Sequence, residues 1–165
     1  MPHWRRFLVA SIGALGLVAG GSISVGADQG DSILEFESMT PVTGAAVGTV
    51  NDRGIKGGGL PWVITSGSGE VDSDGHVDVT VKGLVIPVPP FNGINPVPMF
   101  GATVSCITPS GIVNVRTATV PANAAGDASI DTTVSLPRDC GDPILFVTSP
   151  SGAWFAMSNT EDNQE

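Results

Sequence analysis

The chain has 165 residues, with seven Lys and Arg against sixteen Asp and Glu, 22 Gly, 13 Pro, two Cys and no Tyr. A balance this acidic repels phosphate backbones and anionic lipid surfaces, so nucleic-acid binding is disfavoured by sign alone. Two cysteines allow one bridge at most, which excludes a disulfide-dense miniprotein.

Arg5 and Arg6 open the chain, and Phe7 to Ala19 follow as mostly apolar or small residues. Val25 and Ala27 then stand at −3 and −1 of a cut after Ala27, which is the layout of a secretory signal peptide. Thirteen helical residues rise only about 20 Å, short of the roughly 30 Å hydrocarbon core, so a membrane anchor fits less well. Removal of residues 1–27 leaves 138 residues with five bases and all sixteen acids, a net charge of −11. That length is one domain, expected over 28–157, with an acidic tail at 158–165 expected to fray.

Past the signal-peptide helix the pattern alternates, and Gly, Pro, Asn and Asp cut it into short pieces. Ile33 to Met39 sets Leu34 and Phe36 against Glu35 and Glu37; Leu60 to Thr65 is a continuous apolar run. From His76 to Ile86, Val77, Val79 and Val81 share one face and Asp78, Thr80 and Lys82 the other. Phe100, Ala102, Val104 and Cys106 share a face, as do Val113 and Val115, and as do Ile130, Thr132, Val134 and Leu136. Ile144 to Val147 and Ala153 to Met157 are dense apolar runs. Eight or nine strands at this spacing predict an all-β fold, an antiparallel two-sheet sandwich of immunoglobulin-like size.

Between the strands, Asp72-Ser73-Asp74-Gly75 reads as a hairpin turn, because Gly accepts the positive φ such a turn requires. Residues 87–98 carry five prolines, which donate no ladder hydrogen bond, so an extended, partly polyproline loop is expected there. Cys106 and Cys140 are expected to pair in an oxidising compartment, closing a loop of about 35 residues worth roughly 3–4 kcal/mol.

Candidate chemistry is thin. Beyond the leader only His76 remains, next to a turn, and no Gly-x-Ser-x-Gly is present. Serine or cysteine nucleophilic machinery would have to use His76 and is disfavoured, with both cysteines expected to pair; a zinc site of several histidines or thiolates is excluded by count. Asp72, Asp74 and Asp78 offer oxygen ligands at alternate positions around a sharp Gly turn, which suits a weak calcium site; a bare hairpin needs the same Asp-Gly. Glu35 and Glu37 share a strand face about 7 Å apart, as carboxylate hydrolases require and as any half-exposed strand produces. Trp62 and Trp154, each flanked by apolar residues, read as core rather than as sugar platforms. In the Pro-rich loop, Pro89, Pro90, Phe91 and Asn92 form a candidate partner-binding segment, or simply a crossing between sheets.

Three blocks stand together: Gly58-Gly59-Leu60-Pro61-Trp62-Val63-Ile64; Asn95-Pro96-Val97-Pro98 leading to Val104-Ser105-Cys106; and Leu136-Pro137 with Cys140, Phe146-Val147-Thr148-Ser149-Pro150 and Ala153-Trp154-Phe155-Ala156. Across residues 58–156 the chain resembles a group of uncharacterised exported, mainly bacterial β-domain proteins to which no activity is attached. The resemblance implies a signal peptide, a β-domain and paired cysteines, and carries over no catalytic residue.

The expectation from sequence is thus a secreted, non-enzymatic β-domain with a binding or structural role at the cell exterior. Its partner would be an extracellular protein or carbohydrate, with no nucleic acid, no membrane after cleavage, and no cofactor beyond a possible calcium ion. The alternatives are a secreted carboxylate-dependent hydrolase acting on carbohydrate and a calcium-dependent adhesion module.

Overall fold

A computed structural model describes residues 30–160; the expected leader and the last five residues of the acidic tail lie outside them. Ten strands follow in chain order: β1 (Ser32–Phe36), β2 (Met39–Pro41), β3 (Ser66–Asp72), β4 (His76–Lys82), β5 (Met99–Thr108), β6 (Gly111–Arg116), β7 (Val120–Pro121), β8 (Ala128–Thr133), β9 (Gly141–Thr148) and β10 (Trp154–Ser158). A single 3-10 turn, Gly44–Ala46, is the only helical element among the described residues.

The strands form two antiparallel sheets, ordered β1-β3-β4-β8 and β2-β10-β9-β5-β6, with β7 beside β5. Alternation decides which faces meet. Val77, Val79 and Val81 of β4 turn inward with Leu34, Phe36, Val71 and Ile130. From the larger sheet Phe100, Ala102, Val104, Leu145, Val147 and Phe155 complete one continuous core. Trp62 closes it, stacked on Phe155 at 4.0 Å between ring centroids and edge-on to Phe100 at 6.3 Å. Each buried Val, Leu, Ile or Phe among them contributes about 1.5–3 kcal/mol by leaving water.

Asp72 to Gly75 is the hairpin turn expected. Gly75 has φ +93°, donates to the Asp72 carbonyl at 2.9 Å, and lies so close to the Val134 carbonyl oxygen that no Cβ fits. The two cysteines are bonded, with Cα atoms 4.7 Å apart, and join β5 to the loop entering its neighbour β9.

Several segments depart from the sequence expectation, which names neither β3 nor β7 as a strand. The stretch Ile33–Met39 is two strands rather than one: β1 belongs to the smaller sheet and β2 to the larger, with the chain crossing at Glu37 and Ser38. Leu60–Thr65 forms no strand, only an isolated bridge between Val63 and Val85, since Pro61 withholds an N–H. The Pro-rich segment is not an extended loop. Phe91 and Asn92 both donate to the Val88 carbonyl at 3.1 Å, Gly93 donates to Ile86 at 2.8 Å, and Ile86 bridges Ile94. Left-handed backbone at Asn92 (φ +49°) and Gly93 (φ +91°) closes this compact turn. Buried Asn95 then pins it, donating to the carbonyls of Val97 at 2.8 Å and Asn123 at 2.9 Å. At the other end, β10 runs through buried Ser158, and Asn159 donates to the Ser38 carbonyl at 3.0 Å, so the packed chain continues past residue 157.

Candidate functional site

The residues singled out from sequence lie in separate places. Asp72 is buried at the end of β3, with Oδ2 3.7 Å from His76 Nδ1. Asp74 is exposed and accepts from the His76 backbone N–H at 3.2 Å, while Asp78 faces solvent from β4. These three carboxylates do not converge. No group of three or more His, Cys, Asp or Glu side chains among the described residues is placed to share a metal ion. The turn instead orients His76, whose Nε2 lies 3.0 Å from Asp131 Oδ1. That hydrogen bond holds the imidazole pKa above 6.5, opposed by partial desolvation and aided by the negative charges of Asp131, Asp72 and Asp78. Pro89, Pro90 and Asn92 are exposed at the tip of the compact turn, and Phe91 is half-buried against the core.

Cross-strand register assembles a feature that spacing along the sequence does not show. Glu35 pairs with Glu70, Glu70 with Asp78, and Asp78 with Asp131. Directly paired residues share a face, so four carboxylates stand in a row across the outside of the smaller sheet. All four are exposed, and no described cation lies within 4.0 Å of Glu35, Glu70 or Asp78. Glu37, beyond the end of β1, joins Glu35, Glu70 and Asp78 around a shallow depression of about 250 Å³.

The outer face of the larger sheet is built differently. Pairing of Met157 with Phe146 and Thr40, and of Phe146 with Thr103, puts these side chains on one face. The β9–β10 register shifts between Trp154 and Ala156, so Trp154 opposes Thr148 while Met157 opposes Phe146. This one-residue bulge turns Trp154 onto the outer face beside Phe146, their rings edge-to-face at 5.7 Å, while Phe155 enters the core.

An apolar outer face needs cover, and the segment between β2 and Gly58 supplies it. Val42 donates to Phe155, Gly58 to Trp154, and Trp154 to Lys56, each through the backbone at 2.8–2.9 Å. Mid-strap, Arg53 is 8% exposed; Nη2 donates to Asp142 Oδ2 at 2.7 Å and to its carbonyl at 2.9 Å, and Nη1 donates to the Ser105 carbonyl at 3.3 Å. Asn114 Nδ2 donates back to the Arg53 carbonyl at 2.8 Å. Asn51 Oδ1 accepts from the N–H groups of Arg53 and Ile55, fixing the turn that carries the guanidinium.

The strap does not fill the space over the sheet. On one side a cleft of about 410 Å³ is floored by Ile144, Phe146, Trp154 and Met157 and walled by residues that include Pro41, Ala46, Asp52 and Arg53. On the other a second depression, also about 410 Å³, carries Lys56 and Arg116. Neither Arg53 nor the cleft is signalled in the sequence, because Arg53 meets Ser105 and Asp142 only after folding. No family model, curated protein or solved structure matches this chain.

Proposed function

We propose that the protein is an exported β-domain that works outside the cytoplasm by binding rather than by covalent catalysis. The observation that carries this reading is the bond between Cys106 and Cys140. Disulfides persist in oxidising compartments, and an export leader is what the first 27 residues resemble. A cross-linked sandwich is a rigid support on which surfaces are held without further ordering cost. His76, the one histidine of the domain, is engaged by Asp131 and Asp72, and among the described residues its ring makes no hydrogen bond to a Ser, Thr or Cys side chain.

Mass spectrometry of the cell-free medium and the cell fractions tests the proposal. The expected species begins at Asp28 and is lighter by two hydrogens than its reduced form. An intact, reduced chain confined to the cytoplasm overturns it. Two further results would replace binding by the alternatives. Hydrolysis of a polysaccharide, lost in Glu70→Gln, would make the carboxylate row catalytic. A rise in melting temperature with calcium, beyond that given by NaCl of equal ionic strength, would make calcium part of the domain.

A further inference from the structure

The second depression over the larger sheet is opposite in charge to the rest of the molecule. The chain carries sixteen Asp and Glu, yet none of them lines this space of about 410 Å³. Lys56 and Arg116 both line it, and both are exposed. Neither has a carboxylate within 4.0 Å among the described residues, whereas Arg53 is neutralised by Asp142. The carboxylate row stands on the outside of the other sheet, so an anion reaches the depression from the side away from it.

The fold holds both cations in place. Arg116 ends β6, and its Nη2 donates to the Pro150 carbonyl at 2.6 Å. The guanidinium lies against Gly152, where a Cβ would stand 3.4–3.6 Å from Cζ, Nη1 and Nη2. Among the described residues it makes no other hydrogen bond, which leaves Nε and Nη1 unengaged. Lys56 is fixed through its backbone, which bridges Val50 and accepts from the Trp154 N–H at 2.9 Å. Beneath them Thr103 pairs with Arg116 across the ladder, so the two side chains share the outer face. Thr103 is 3% exposed and lines the depression, and among the described residues no hydrogen bond engages its hydroxyl. That hydroxyl keeps accessible area, because the one fully enclosed side-chain polar atom without a partner is Trp154 Nε1. Asn114 and Ser151 add an amide and a second hydroxyl, and no aromatic side chain lines the space.

A guanidinium fork beside an ammonium matches an oxyanion, and the neutral hydrogen-bonding groups around them match a hydroxylated body rather than an apolar one. We propose that the depression between the strap and the β9–β10 turn binds the oxyanion group, carboxylate or sulfate, of a small acidic sugar, with Arg116 and Lys56 as counter-charges and Thr103 at its floor.

This rests on the reading of the protein as a binding domain, but the two fail separately. A reduced cytoplasmic chain removes export and leaves the depression untouched; a silent depression leaves export standing. The test is an NMR titration of the disulfide-bonded protein with D-galacturonate, D-galactose 6-sulfate and, as the neutral comparison, D-galactose. At least one acidic sugar is expected to shift the Arg116 Nε–H and Gly152 amide resonances, and D-galactose to leave them in place. The acid that binds more tightly identifies the group as carboxylate or sulfate. Arg116→Gln should weaken its binding about tenfold, and Lys56→Gln roughly three- to tenfold. Thr103→Val keeps the shape and every charge, and should weaken it about threefold. Lys82→Gln removes a cation from the other sheet and should change nothing. Silence of both acidic sugars, or D-galactose binding as tightly as they do, overturns the proposal. So does undiminished binding in Thr103→Val, or a loss in Lys82→Gln equal to that in Arg116→Gln, which is what bulk charge attraction gives. Should Arg116→Gln or Thr103→Val fail to fold, the resonance shifts and the contrast between Lys56→Gln and Lys82→Gln decide.

Discussion

Neutralising the centre of the carboxylate row should stabilise the protein. Asp78 lies between Glu70 on β3 and Asp131 on β4's other neighbour, β8. Directly opposed Cβ atoms stand about 4.5–5.5 Å apart, and like charges so placed are destabilising. With the carboxylates about 6 Å apart in a water-like dielectric, Coulomb's law gives ~0.7 kcal/mol of repulsion per pair. At physiological salt, with a Debye length of about 8 Å, roughly half of that survives. Two neighbours then sum to about 0.7 kcal/mol, or a rise of about 2–3 °C in melting temperature for a domain of this size. Asp78→Asn removes the charge while keeping the shape. Urea unfolding should give a higher midpoint with an unchanged slope. The gain should be larger in dilute buffer, near ~1 kcal/mol, and largely vanish in concentrated NaCl. A lower midpoint for Asp78→Asn, or a gain that ignores salt, would refute the row as a repulsive array.

Replacing both cysteines, Cys106→Ala with Cys140→Ala, should cost about 3–4 kcal/mol in the same assay, since the bridge closes a separation of 34 residues and restrains the unfolded chain. Arg53→Met keeps the aliphatic stem but deletes the hydrogen bonds to Asp142 and Ser105, and should cost about 1.5–3 kcal/mol. Its signature is local: the Asn51 and Gly57 amides, bonded within the strap, should exchange with deuterium faster than those of β4. His76 titrates above 6.5 in the folded protein because of Asp131, so its contribution to stability is complete below about pH 6.5 and is lost as pH rises through the folded value. NMR titration should show this, and Asp131→Asn should return the imidazole toward its ordinary pKa; an unmoved value would remove Asp131 as the cause.

What could be read from the residues alone was whatever is local. Strict alternation in His76–Lys82 fixes a strand and its buried face, and the only two cysteines of the chain have no partner but each other. Asp72-Ser73-Asp74-Gly75 declares its turn through a single backbone requirement at Gly75. Features that need long-range register escaped. Glu35, Glu70, Asp78 and Asp131 come from four strands, and no spacing along the chain marks them as neighbours. The Pro-rich segment misled because proline content argues for extension, whereas Asn92, Gly93 and the buried Asn95 fold it back.

The bulge in β10 has the widest consequence. Unbulged, alternation from Ala156 would leave Trp154 on the core side and Phe155 outside. With it, Phe155 fills the core beside Trp62, and Trp154 joins Phe146 on the outer face. That face is then too apolar to stand in water, which requires a covering segment. A covering segment with only one short 3-10 turn and an isolated bridge of its own must be anchored, and a buried Arg53 paired to Asp142 does so where an apolar residue could not reach two carbonyls and a carboxylate at once. The cleft is the remainder of this arrangement, the part of the apolar face that the anchored strap leaves open. Straightening β10 by deleting Phe155 should therefore abolish strap protection and cleft together rather than one of them alone.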